Sequence, residues 1–191
     1  MWVAGTLGAF FTALARNLPL HLQERGWPPD IAHTLDLIIR YGYVVWLLAY
    51  FFISNLDNAT DDTPRNRDLA FDVIQSIAAL WAVFWIGFAL PGHGYGHDAF
   101  GPALVTVNLA VAVICLASLI LFSCESSMSV NYLRIAGLVV SVVTIAAVCF
   151  GVSGISLLWC GIGALAILIV ILIRYVLIRH DSPIHADNLA T

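Results

Sequence analysis

The sequence predicts an all-α fold: a polytopic membrane helical bundle of about five transmembrane helices, preceded by a short N-terminal interfacial helix. Three observations predict it. Five long apolar stretches follow one another with only short polar or glycine-rich breaks. Hydrophobic residues make up 61% of the chain and charged residues 10%, against roughly a quarter charged in a soluble domain. The stretches also have the right length, since a hydrocarbon core of about 30 Å takes roughly 20 helical residues and a helix satisfies its own backbone there.

Residues 1–30 form the first unit. Met1 to Leu20 is apolar but too short and interrupted to span; Val3, Leu7, Phe10, Leu14 and Leu18 recur at helical spacing opposite Gly5, Gly8, Thr12 and Ala15. That pattern suits a helix lying in the interface. Ala13-Leu14-Ala15 has the form of a signal-peptidase site but lacks a basic segment ahead of it. Gly26-Trp27-Pro28-Pro29-Asp30 ends the unit.

The transmembrane domain covers residues 31–178. Span one runs from Ile31 to about Asn55, and the polar stretch Leu56 to Asp68 cannot lie in hydrocarbon. Span two runs from Leu69 to Leu90 and stops at Pro91-Gly92. Pro102 stands at the first turn of span three, where its missing N–H costs nothing; the helix ends near Ser123. Span four covers Asn131 to Phe150, Gly151-Val152-Ser153-Gly154 supplies the turn, and span five covers Ile155 to about Ile178. Residues 179–191 form a polar tail.

Arginine placement orients the bundle. With five crossings, Arg65, Arg67, Arg134, Arg174 and Arg179 share one side, against Arg16 and Arg25 on the other. The positive-inside rule then puts the N-terminus outside and the C-terminus in the cytoplasm, as in a bacterial inner membrane. Trp27, Trp85 and Trp159 fall near the outer boundary, where an aromatic belt belongs. Asn58-Ala59-Thr60 faces inward in this orientation and so is no glycosylation site.

Ionisable residues inside spans are expensive and therefore the first functional candidates. His33, Asp36, Arg40 and Tyr43 share one face of span one, with Asp36 and Arg40 at ion-pair spacing. That face reads as a structural ion pair with Arg40 snorkelling outward, or as the wall of a water-filled outer vestibule. On the inner side, Asp72, Gln75, Ser76 and Ala79 make a stripe on span two, and Arg134, Gly137, Ser141 and Thr144 make another on span four. Asp72 and Arg134 start at comparable depth and could pair. Asn108, Ala112 and Cys115 add a small or polar stripe on span three, of the kind that lets helices approach closely.

The loop after span two offers His93, His97 and Asp98, nitrogen and oxygen ligands for a divalent metal such as zinc, copper or nickel. The bland reading is a glycine-rich connector with solvated histidines. Gly94-Tyr95-Gly96 shares only its G-Y-G with the potassium-channel filter, and a full span precedes it where a short pore helix belongs. Gly151-Val152-Ser153-Gly154 has the G-x-S-G of rhomboid proteases, yet no histidine follows it in the spans to serve as base.

Composition narrows the function classes. All eight basic residues are arginine, which excludes lysine Schiff-base and P-loop chemistry. A net charge of -4 without a basic cluster argues against nucleic acid and against a polybasic lipid-headgroup site. The four cysteines form no C-x-x-C pair. No cofactor is expected beyond a divalent metal at the histidine loop. The expected partners are the lipid bilayer and other membrane subunits, in a homo- or hetero-oligomer. The reading favoured is a non-catalytic subunit or scaffold of a membrane assembly. A small oligomeric transporter or channel for an ion or polar solute is the alternative, and a membrane enzyme comes last.

Overall fold

The computed structural model describes residues 31–58, 65–88 and 100–180, together with Gly8 and Thr12. The interfacial helix and the polar tail expected at the two ends lie outside the described residues. Those described form five helices: α1 (Ile31–Asn58), α2 (Asn66–Phe88), α3 (Phe100–Phe122), α4 (Met128–Cys149) and α5 (Gly154–His180). Three of them are long and apolar enough to cross a membrane: α3, α4 and α5. In α1 the apolar part is Ile38–Ser54.

Most helices extend beyond the apolar runs. α2 and α4 each begin three residues before the expected spans, and the reason is local capping. At α2, the Arg65 N–H donates to the Asp68 carboxylate at 3.1 Å while the Arg65 carbonyl accepts from the Asp68 N–H at 2.9 Å. Asp68 also meets the positive end of the helix dipole. At α4, the N-cap hydroxyl of Ser127 accepts from the Val130 N–H at 3.4 Å.

The α4–α5 connection is the turn its glycines require. The Val152 N–H reaches the Ala147 carbonyl and the Gly151 N–H reaches that of Val148, the paired bonds of a Schellman ending. Gly151 takes φ 82° and Gly154 φ 60°, a region closed to most side chains.

Each helix packs on its neighbour in sequence, α5 closes back on α1, and α1 also touches α3 across the ring. The helices alternate in direction. Phe100 at the start of α3 lies 5.8 Å from the Arg40 guanidinium early in α1 and meets Gly161 early in α5. At the far end, Phe122 packs edge-on against Phe71 early in α2, ring centroids 5.3 Å apart.

The solvent for which this bundle is built can be read from α4. Its buried residues are Val130, Gly137, Ser141 and Thr144, while Ile135, Val139, Val142 and Val143 are exposed. In water this distribution would be inverted. In lipid, where chains are as apolar as valine and association depends on close packing, small and polar residues belong inside.

Two glycines set the α1–α5 approach. A Cβ at Gly42 would stand 2.5 Å from a Leu165 methyl, and one at Gly161 would stand 3.3 Å from Ile39 and Phe100. The Trp46 indole then donates across the same interface to the Leu168 carbonyl at 2.7 Å.

Candidate functional site

Polar side chains inside the bundle gather in two layers, one toward each end. The first is built by α1 and α3. Asp36 and Arg40 are one turn apart on α1, and Arg40 Nε donates to Asp36 Oδ1 at 2.5 Å. Arg40 is only 5% exposed and Asp36 23%. The ion pair expected from the spacing is therefore present, but the guanidinium does not snorkel outward along the surface. It is buried against the ring of Phe100, and its Nη1 has no hydrogen-bond partner.

Tyr43 continues the same face one turn deeper and meets Asn108 of α3. The Asn108 amide donates to the Tyr43 hydroxyl at 3.2 Å, and its oxygen accepts from that hydroxyl at 3.4 Å. Asn108 also donates to the Leu104 carbonyl at 2.9 Å, so both polar ends of this fully buried amide are engaged. Beside Arg40 and Tyr43 lies a small cavity of about 10 Å³, otherwise lined by Ile39, Phe100, Ala103, Leu104 and Val107. That is room for a single water. His33 is on α1, and its side chain is outside the described residues.

The second layer centres on Arg134 of α4. Its Nη1 donates to Ser126 Oγ at 2.7 Å and to Asn131 Oδ1 at 3.0 Å. The guanidinium lies 5.9 Å from the Phe122 ring. Tyr175 tilts against Tyr50 of α1 at 6.1 Å, and Tyr50 stacks on Trp46 at 5.5 Å.

The expected Asp72–Arg134 pair is not among the ion pairs of the described residues, which join Arg40 with Asp36, Arg65 and Arg67 with Glu125, and Arg67 with Asp68. The topology explains this: α3 packs on both α2 and α4 and stands between them. Equal depth in the sequence pattern is not adjacency. Gln75 of α2 is fully buried, and neither of its amide atoms is hydrogen-bonded.

Beyond the helix ends, Glu125 in the α3–α4 connection holds two arginines of the α2 start. Arg67 grips it through both terminal nitrogens, and Arg65 reaches it at 3.3 Å. Arg67 also lies over Phe122 at 5.6 Å. The hydrogen bonds from Arg67, supported by the charges of Arg67 and Arg65, hold the Glu125 carboxyl below its usual value of 4.5 despite some desolvation.

Apolar side chains fill the space between the two layers: Val44, Leu47, Val111, Ile114 and Leu168, all at most 1% exposed. His93, His97 and Asp98 fall outside the described residues, and no metal-binding group of three His, Cys, Asp or Glu occurs among those described.

The sequence pattern did not single out Tyr50, Tyr175 or Glu125. Tyr50 stands four residues after Trp46, a spacing that places the two aromatics together on one helix face, and that was the available signal. Nothing local marks Tyr175 or Glu125. No protein-family model, curated protein or solved structure matches this chain.

Proposed function

We propose that this chain is a five-span integral membrane protein that serves as a non-catalytic subunit or scaffold of a larger membrane assembly. In this reading α1 and α2 cross as well, the N-terminus is outside, and the C-terminus is cytoplasmic. Arg40, Asp36 and Tyr43 then belong to an outer layer, and Arg134 to an inner one.

One observation carries the reading. Most polar groups of the two layers are engaged inside the bundle, Asp36 with Arg40, Tyr43 with Asn108 across two helices and Arg134 with Ser126 and Asn131, while Leu47, Val111 and Leu168 close the middle. Such groups hold helices in register, and the apolar outer faces of α4 and α5 remain for lipid or partner subunits. Asp36, Asn108 and Arg134 are structural here.

The alternative is a small oligomeric transporter or channel. Arg40 Nη1 and the Gln75 amide favour it, because unpartnered buried polar groups are costly and often mark a pathway. Extraction from native membranes in a mild detergent separates the two. A subunit co-purifies with other polypeptides at fixed stoichiometry. A pure homo-oligomer whose solute flux in liposomes disappears in Arg40→Ala would replace the subunit reading with transport.

A further inference from the structure

The two connections that flank α4 are built for different surroundings. The one before it, Ser123 to Ser127, carries Glu125, which clasps Arg65 and Arg67. In the one after it, Phe150 to Ser153, the only polar side chain is Ser153. From residue 135 to residue 173 the chain holds no Asp, Glu, Arg, Lys, His, Asn or Gln. Large apolar side chains stand outward around this turn: Phe150 is 89% exposed, Ile155 69% and Trp159 63%.

Axial distance fixes the depth of the turn. In the orientation proposed above, Arg134 and Arg174 mark the cytoplasmic level on α4 and α5. Phe150 follows Arg134 by 16 residues, about 24 Å at the helical rise. Ile155 precedes Arg174 by 19 residues, about 29 Å. A hydrocarbon core of about 30 Å is no shorter than either distance, so the turn does not rise clear of the lipid. Nor can it sink into hydrocarbon. The end of α4 is satisfied, since the Phe150 N–H donates to the Ala146 carbonyl at 2.8 Å and those of Gly151 and Val152 reach Val148 and Ala147. The first N–H groups of α5 have no partners within their helix, and hydrocarbon offers none. Headgroup oxygens and the water among them do.

We infer that the α4–α5 turn is a membrane-inserted tip. It lies in the headgroup layer of the outer leaflet, with Phe150, Ile155 and Trp159 set into the upper acyl chains. Its partner is the lipid surface, because the tip offers no charge or amide from which a soluble protein could build a polar rim. An indole at this level and a phenyl ring beside it are the side chains that anchor at such a boundary. The layer is hydrated, so neighbouring Cys149 stays within reach of water-soluble reagents.

This placement rests on the reading of α4 and α5 as crossing helices. The test uses Phe150→Cys in the full chain with its four native cysteines replaced by alanine, labelled with bimane and reconstituted in phosphatidylcholine liposomes. Quenching by phosphatidylcholine with a doxyl group high on its acyl chain is compared with quenching by iodide present on both sides. The same label on Cys124, retained as the single cysteine, is the reference. At the tip, the ratio of lipid to iodide quenching should be about threefold higher than at Cys124. A ratio equal to or below that of Cys124 puts the turn in water and overturns the inference. Quenching by neither agent means that protein covers the tip, a second copy included, and equally overturns it. Should Phe150→Cys fail to fold, Cys149 as the single cysteine carries the label in the same comparison. Failure of the crossing itself reads differently, as labelling of Cys124 and Cys149 from the same side of the membrane.

Discussion

Asp36 and Arg40 show why a charge inside a bundle has to be judged by its partner. The pair contributes little net energy by itself, because desolvating two ions offsets their attraction. Breaking it is another matter. Asp36→Asn leaves a guanidinium that is 5% exposed without its counter-charge, and the expected loss is about 3 kcal/mol. The double variant Asp36→Leu/Arg40→Leu removes both charges and should unfold closer to the parent protein. Thermal unfolding in detergent checks this order; a double variant less stable than Asp36→Asn would refute it.

A second residue-scale prediction concerns Gly42, whose missing side chain admits Leu165. Gly42→Ala meets a single methyl at the end of a flexible side chain and should be tolerated. Gly42→Val adds branches that cannot turn away, and overpacking of this kind costs about 1–3 kcal/mol. Comparable melting of the two variants would contradict the close approach. The Asp36–Arg40 contact was legible from spacing along one helix. The position of the guanidinium was not, because Phe100 lies 60 residues further on. The Tyr43–Asn108 contact escaped for the same reason: each residue's stripe was visible, but which stripes meet depends on how the helices are ordered in the ring.

At the scale of the element, the five apolar runs led directly to the five helices, and the turn at Gly151–Gly154 was evident from its glycines. The boundaries were less accurate because an apolar run measures what dissolves in hydrocarbon, whereas a helix continues as long as its backbone bonds and caps allow. Ser127 and Asp68 carried the cap signals that extend α4 and α2.

The Glu125 clasp belongs to this scale, since it ties the start of α2 to the α3–α4 connection. Its carboxyl is held below the usual value, so its stabilisation is present above the ordinary carboxylate range and is lost as pH falls through the lowered value. Acid unfolding of the parent protein should therefore contain a component that Glu125→Gln removes. Identical pH profiles for the two would show that the clasp contributes nothing to stability.

For the whole molecule, the decisive feature is the closed ring, with polar side chains at two depths, aliphatic packing between them and apolar residues outward. Hydropathy made the all-helical class and the inward small-residue stripes legible. The neighbour relations were not, and they decided the fate of the Asp72–Arg134 pair, because α3 stands between the helices that carry it.

Two cysteines test the central claim, a bundle that crosses the membrane with α4 running between opposite faces. Cys124 and Cys149 are both exposed and flank α4 at its two ends. Single-cysteine variants retaining one or the other would be treated with a membrane-impermeant maleimide in intact cells and in inverted vesicles. A membrane-crossing α4 with its start in the cytoplasm predicts labelling of Cys149 in intact cells only and of Cys124 in inverted vesicles only. Labelling of both residues from the same side would contradict it.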